Sequence, residues 1–148
     1  MIQPNPDIEA IIQEATEIAT EKNHEYVTLE HLLSAMINHE TFYTIVRDFG
    51  VDVISLKEEI DNYLAKQTHL ISKGYDIVPK KTHSLERVFN RAFTQVLFSG
   101  RQHMQVIDLY LSIMAEDKSH AQYFCYKYGL ERGKLVDFWN TNFVDQNP

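Results

Sequence analysis

The stretch Ile8–Ala19, IEAIIQEATEIA, returns later in the chain as Leu85–Val96, LERVFNRAFTQV. In both stretches, apolar residues recur three and four positions apart, which is the spacing of one face of an α-helix. The paired positions are Ile8 and Leu85, Ile11 and Val88, Ile12 and Phe89, Ala15 and Ala92, and Ala19 and Val96. A duplicated helical unit usually means two half-domains that share one hydrophobic core. The pattern therefore favours a docking module over an enzyme built around one pocket.

The correspondence continues beyond this first helix. The later pairs are Leu32 and Leu109, Leu33 and Tyr110, Gly50 and Gly129, Leu56 and Leu135, Ile60 and Trp139, and Leu64 and Phe143. We therefore predict an all-α fold of eight helices, arranged as two pseudo-symmetric four-helix repeats, without strands. We expect residues 1–148 to form one domain, with repeat one at about 6–66, a linker at 67–83 and repeat two at about 84–143.

Polar residues and glycines mark the expected helix ends. Short polar side chains at the first position accept hydrogen bonds from first-turn amides, and a glycine suits the left-handed conformation that follows a last turn. The predicted caps are Asn5, Thr28, Asp52, Ser84 and Ser119, and the predicted terminating glycines are Gly50, Gly100 and Gly129. The sixth helix should span about Val106 to Glu116, and the eighth should reach Phe143.

Composition excludes several classes of function. An apolar fraction of 44% and a charged fraction of 24% are ordinary for a globular protein. The net charge of −7 disfavours a nucleic-acid binder, since such proteins usually present a basic face. No apolar run approaches the ~20 residues of a membrane span, and the start of the chain lacks the pattern of a secretion signal. The single Cys125 cannot form an internal disulfide, so we expect a cytoplasmic location.

The motifs of common catalytic sites are also missing. The chain contains no G-x-x-x-x-G-K-[ST], so it has no ATPase site of that type. Cys125 lies among aromatic residues in a predicted helix, where a buried structural thiol is expected rather than a nucleophile. His24 and His31 flank the first helix corner with Glu25 and Glu30 nearby, and histidine with carboxylate can ligate zinc. Their spacing matches no strong zinc signature, so we expect no metal or cofactor and keep His24 as a weak candidate ligand.

The segment Ala19–Leu33, ATEKNHEYVTLEHLL, carries a family resemblance. It resembles the opening of the N-terminal domain of Clp-type AAA+ unfoldases, where a loop reading H-E-[FY]-x-T-x-E-H-L-L joins the first two helices. The His-Glu-aromatic version is most similar to ClpA, the unfoldase partner of the ClpP peptidase. Thr82–Ala92 resembles the start of the second repeat in that family, and Gly50-Val-Asp-Val resembles the start of its fourth helix.

The resemblance implies a non-catalytic module that docks the small adaptor ClpS, and substrates directly. By motif position, it implies adaptor contacts at Glu25, Thr82 and Arg87. Arg87 would meet a partner carboxylate, Glu25 would accept from a lysine, and Thr82 would bond through its hydroxyl. The alternative is that these residues have no binding role: Thr82 is only a helix cap, and the side chains of Glu25 and Arg87 are solvated. His24 matches a position where the family can carry a metal-binding histidine, but Ala65 and Lys66 stand where a carboxylate ligand is expected.

Two interpretations of the whole remain open at this level. The chain is either an excised N-terminal domain of an unfoldase or a free-standing copy. A free-standing copy would be a decoy or regulator that occupies an adaptor or binds the unfoldase ring without ATP hydrolysis. The aromatic residues of the second half could supply a separate surface for that purpose: Phe89, Phe93, Phe98, Tyr110, Tyr123, Phe124, Tyr126 and Tyr128. Because the two halves should fill each other's core, we expect a monomer.

Overall fold

The computed structural model describes residues 5–74 and 77–143, and this part of the chain contains eight α-helices. They are α1 Pro6–Glu21, α2 Leu29–Asn38, α3 Glu40–Phe49, α4 Val53–Ala65, α5 His83–Phe98, α6 Val106–Met114, α7 His120–Lys127 and α8 Arg132–Asn142. A short 3-10 turn, Thr68–Leu70, follows α4. The predicted all-α class and the count of eight helices are confirmed. None of these helices is both long and apolar enough to cross a membrane.

Most helices begin and end where the sequence predicts. The side chains of Asn5, Thr28, Asp52 and Ser119 each accept a hydrogen bond from an amide in the first turn of the helix that follows. Gly50 ends α3 with φ +107°, a left-handed conformation that a residue with a Cβ rarely adopts. The predicted caps therefore act through the expected side-chain chemistry.

The expected start of α5 was wrong by two residues. Thr82, not Ser84, is the cap: its Oγ1 accepts a hydrogen bond from the amide of Leu85 at 3.2 Å. Thr82 has extended backbone, and Ser84 already lies inside the helix. Both residues are good caps by type, so only the path of the preceding chain decides between them. The end of α6 also differs from the prediction: the helix ends at Met114, two residues before the predicted Glu116.

The expectation of no strand was also wrong. The strands β1 Tyr26–Val27 and β2 Lys80–Lys81 form a two-residue parallel ladder, with Tyr26 opposite Lys80 and Val27 opposite Lys81. Strands this short show no alternation of apolar and polar residues, so periodicity cannot detect them. The ladder nevertheless sets the position of the linker on the domain.

The core is centred on α2 and α6, the second helices of the two repeats. Every residue of α2 from Leu29 to Ile37 is buried, and a single apolar cluster includes residues of all eight helices. Direct contacts cross between the repeats. The rings of Phe42 and Tyr110 lie 6.0 Å apart, and Glu59 accepts hydrogen bonds from Lys127 and Tyr128 at 2.6 Å each. Each repeat therefore covers apolar surface that the other would expose.

Candidate protein-docking face

The linker is bound to the corner between α1 and α2 by backbone hydrogen bonds. The amide of Glu25 donates to the carbonyl of Leu70 at 2.6 Å, and the carbonyl of Glu25 accepts from the amide of Lys80 at 2.9 Å. Further along, the amide of Thr82 donates to the carbonyl of Val27 at 3.2 Å. Backbone groups that bond in this way satisfy each other and hold two distant segments in register. The corner and the end of the linker therefore form one surface.

Two of the three residues assigned to adaptor contacts lie on this surface. Glu25 is exposed and directly precedes β1, and Thr82 is half-buried and directly follows β2. The exposed Lys80 and Lys81 lie between them along β2. We call this set, Glu25 with Lys80, Lys81 and Thr82, the corner ridge. It presents a carboxylate, two ammonium groups and a hydroxyl on a fixed backbone.

The third residue, Arg87, lies further along α5 and is engaged within the chain. Its guanidinium donates to Glu116 at 2.7 Å and to the hydroxyl of Ser84 at 3.0 Å, although its side chain is 57% exposed. Arg91 pairs with the same carboxylate. These two arginines hold the pKa of the buried Glu116 below its usual range, with the Arg87 hydrogen bond as the largest cause. Among the described residues, no hydrogen bond or ion pair joins Arg87 to the corner ridge.

His24 and His31 form a buried pair beneath the corner. The Nδ1 atom of His24 lies 2.9 Å from Nε2 of His31, and the amide of Thr28 donates to Nδ1 of His31 at 2.9 Å. Because Nδ1 of His31 accepts, Nε2 carries the proton and donates to His24. Burial, then the neighbouring His24, lowers the pKa of His31 to about 4. Burial also lowers the pKa of His24, so both rings are neutral at pH 7.

The weak metal candidate His24 therefore meets one histidine rather than a ligand set. A structural zinc site needs about four nitrogen, sulfur or oxygen ligands. The described residues contain no group of three or more histidine, cysteine, aspartate or glutamate side chains that could hold a metal ion. Nδ1 of His31 is also taken by Thr28. The pair can fix the helix corner by hydrogen bonding.

Glu30 has a role that the sequence analysis missed. Its Oε2 accepts a hydrogen bond from the amide of Ala121 at 2.9 Å, at the start of α7 in the other repeat. Burial raises the pKa of Glu30, and the bond to Ala121 opposes that shift. The carboxylate thus caps a helix 91 residues away in sequence. Its position beside His31 in the motif suggested metal chemistry, and nothing local could have indicated the partner.

Cys125 is a buried thiol, as expected. Its side chain has no exposed area, and burial raises its pKa to about 12. A thiol needs a lowered pKa and access to act as a nucleophile. Cys125 therefore packs as a small apolar residue.

The aromatic residues of the second half divide between core and surface. Tyr110 and Phe124 are buried, whereas Tyr123 and Tyr126 are half exposed on α7. A second exposed group lies on the last two turns of α5: Phe93 at 48%, Leu97 at 53% and Phe98 at 83%. We call these three residues the α5 apolar stripe. Phe93 and Leu97 are four residues apart and share one face of the helix, and Phe98 follows at its end. Clustered exposed apolar residues commonly mark an interaction surface.

Three known proteins are similar to this chain in sequence or in fold. A ClpA homolog protein from Fuscovulum blasticum is 30% identical over 134 residues, which cover 88% of this chain and 17% of that protein. The Hsp104 N-terminal domain from Candida albicans superposes with a TM-score of 0.79 at 14% identity, covering 97% of this chain and 93% of that one. The ClpV N-domain, solved in complex with a VipB peptide, gives a TM-score of 0.68 at 15% identity, with coverage of 92% and 84%. The two structural likenesses show the fold alone.

The family is established by a sequence model that spans most of the chain. Residues 3–128 match the Clp repeat (R) N-terminal domain. This range contains the corner motif, the linker and the first three helices of the second repeat. The chain therefore belongs to the family of Clp repeat N-terminal domains.

Proposed function

We propose that this chain is a non-catalytic docking module of ATP-dependent Clp proteolysis, which binds a ClpS-like adaptor and delivers substrates through it. Membership of the Clp repeat family and the likeness to a ClpA homolog support this assignment. The observation that carries it is the corner ridge, where backbone hydrogen bonds hold Glu25 and Thr82 on one exposed surface. A surface held rigid before binding loses little entropy when a partner docks.

The chemistry of the three residues suits a polar protein interface. Glu25 can accept from a partner lysine, and Thr82 still has its hydroxyl proton to donate, because capping uses only the oxygen as an acceptor. Arg87 is paired with Glu116 but remains more than half exposed. A partner carboxylate can therefore share the guanidinium, since its planar fork has five donors.

Calorimetric titration against the ClpS-like adaptor of the same host tests the proposal. We expect micromolar or tighter binding that Glu25→Lys and Arg87→Gln each weaken by about tenfold, in the range of one charge-assisted hydrogen bond. Glutamine is chosen at Arg87 because a carboxylate there would repel Glu116. Glu58→Lys and Arg47→Gln, at exposed positions on α4 and α3, are matched controls and should bind normally. Unchanged binding by both test variants would show that neither the corner ridge nor Arg87 belongs to the docking face.

Two roles fit such a module: a delivery domain of a longer unfoldase, or a free module that occupies the adaptor. The chain corresponds to 17% of the ClpA homolog that it matches, so ATP hydrolysis and delivery to a protease belong to the proposal for a longer protein. Degradation assays with adaptor-dependent substrates decide between the roles. A delivery domain supports degradation when joined to its ATPase modules, and a free module added in excess inhibits it by occupying the adaptor.

The α5 apolar stripe favours a second candidate function, a free-standing decoy or regulator that binds the Clp unfoldase ring itself. Phe98 is 83% exposed and lies near the exposed Phe93 and Leu97, and a cluster of exposed apolar side chains is more informative about a binding surface than a single one. On this proposal, the added chain slows ClpA–ClpP degradation of substrates that need no adaptor, and Phe98→Ser abolishes the effect. Asn142→Ser, at an exposed position on α8, is the control. Normal degradation in the presence of excess chain would exclude this candidate.

Both candidates place the chain in the cytoplasm. The lone Cys125 is buried and takes no part in either proposed surface, so neither depends on disulfide formation. A module without disulfides is typical of a reducing compartment. Expression as a fluorescent fusion in the source cell, followed by fractionation, would test this location.

A further inference from the structure

A groove on the side of α6 that faces α5 and α8 has an unexpected charge for this acidic protein. Its deeper end is a cavity of about 310 Å³ that contains Arg91, Arg101 and Arg132. A second cavity of about 480 Å³ shares Arg101, Asp108 and Leu111 with the first, so the two form one continuous groove. Cavities of this size are within the range of ligand sites.

The donors of the groove outnumber its free acceptors. Arg101 makes two hydrogen bonds to Asp108, at 2.9 and 2.7 Å, and Asp108 also accepts from the amide of Gln105. Arg91 is held by the carbonyl of Ser112 at 2.7 Å and by Glu116. The two carboxylates are thus already occupied. The charged residues that line the two cavities are therefore three arginines and one aspartate, in a chain whose net charge is −7.

Arg132 is the uncommitted cation of this set. It is exposed at the first position of α8 and has no hydrogen bond or ion pair to any described residue. The neighbouring Glu131 interacts with Lys134 instead. An arginine that borders a cavity and has no carboxylate partner can donate hydrogen bonds to an oxyanion without breaking an existing ion pair.

The other end of the groove is apolar. One face of α8 carries Arg132, Val136 and Trp139, spaced four and three residues apart, and Phe143 follows at its end. From Arg132 to Trp139 the helix rises about 10 Å, which an extended peptide covers in about three residues. Leu135 is the only residue of α8 that is fully buried among those described, so this wall of the groove is lightly anchored.

We propose that this groove binds a short acidic peptide segment, with a carboxylate at Arg132 and Arg101 and an apolar side chain against Leu111, Val136 and Trp139. The excess of positive charge selects the carboxylate, and the length of the α8 face sets its distance from the apolar side chain. This site is separate from the corner ridge, so it stands whether or not an adaptor docks there.

The single tryptophan of the chain provides the measurement, since Trp139 lines the groove. The probe is a capped pentapeptide with an aspartate and a phenylalanine three residues apart. We expect it to change the Trp139 fluorescence in a saturable way, with binding confirmed by calorimetry and weakened by salt. Replacing its aspartate with asparagine should weaken binding about tenfold, the order expected for one charge-assisted hydrogen bond.

Variants of α8 complete the test. Arg132→Gln should weaken peptide binding by a similar factor without unfolding the chain, because Arg132 makes no hydrogen bond or ion pair with residues 5–74 or 77–143. Lys134→Gln removes the same charge from the same helix outside the groove, and should bind normally.

Equal binding of the aspartate and asparagine peptides, or normal binding by Arg132→Gln, would overturn the proposal. Inorganic phosphate that binds as tightly as the peptide would overturn the peptide assignment, because it would show an oxyanion site without the apolar end. Loss of peptide binding in Arg132→Gln with unchanged adaptor binding would show that the two sites are independent.

Discussion

At the scale of single residues, the motif His24–Leu33 is largely structural. Thr28 caps α2, Nδ1 of His31 accepts a hydrogen bond from the backbone amide of Thr28, and Glu30 caps α7. Only Glu25 and Tyr26 of the segment are clearly exposed. A family signature of this kind identifies a fold more directly than an activity, because most of its side chains are used to hold the corner.

The buried histidine pair makes stability depend on pH. The pKa of His31 falls from 6.5 in the unfolded chain to about 4 in the folded one, so the unfolded state binds the proton first as the pH is lowered. The contribution of His31 to the free energy of unfolding should therefore fall from pH 7, by about 2 kcal/mol at pH 5 and about 3 kcal/mol at pH 4. Glu30, whose pKa is raised, acts in the opposite direction. The lowered pKa values of Glu59 and Glu116 have their effect below about pH 4.5.

Replacement of His31 separates these contributions. Chemical denaturation of His31→Gln at pH 7, 6 and 5 should show a lower stability at pH 7 and a flatter dependence on pH than the wild type. The exposed His103→Gln is the control and should keep the wild-type slope. Parallel curves for His31→Gln and the wild type would contradict the assignment of the pH dependence to the buried pair.

At the scale of elements, the start of α5 depends on Thr82 and not on Ser84. Thr82→Ala removes the acceptor for the amide of Leu85 and should lower the free energy of unfolding by about 1 kcal/mol. Thr82→Ser keeps the oxygen and should be nearly neutral. Ser84→Ala should cost less than about 0.5 kcal/mol, because Ser84 only accepts a bond from the exposed Arg87. Urea denaturation of the three variants measures the order, and a larger loss for Ser84→Ala would restore Ser84 as the cap.

The elements also show where periodicity succeeds and where it fails. Helices such as α1 and α5 are long and have one apolar face, so their spacing identifies them. The ladder between β1 and β2 has two residues in each strand and no periodic pattern. Yet this ladder positions Thr82 beside the corner. The element that matters most for the proposed docking face is therefore one that the sequence pattern does not reveal.

At the scale of the whole molecule, neither repeat has a complete core. The buried helix α2 packs on α7, and α3 packs on α6 and α8, so the second repeat covers the first. Residues 5–74 expressed alone should therefore lack stable structure, as expected for a small unit that has lost much of its buried apolar area. Circular dichroism and hydrogen exchange, with the full chain as the control, measure this. A cooperative thermal transition of the fragment as a monomer would show that the first repeat folds independently.

The sequence by itself determined the helical class, the duplication, most caps and the family, because these depend on local periodicity and on short-range hydrogen bonds. It also indicated Glu25, Thr82 and Arg87 as contact residues, though only through resemblance. The tertiary structure decided what each side chain meets: His24 faces His31, Glu30 reaches Ala121, and Arg87 pairs with Glu116. It alone brought Arg91, Arg101 and Arg132 around one cavity. Glu30 and Ala121 are 91 residues apart and Arg87 and Glu116 are 29 apart, so no local pattern specifies these contacts. Only the packing of α5, α6 and α8 brings the charges of the three arginines together.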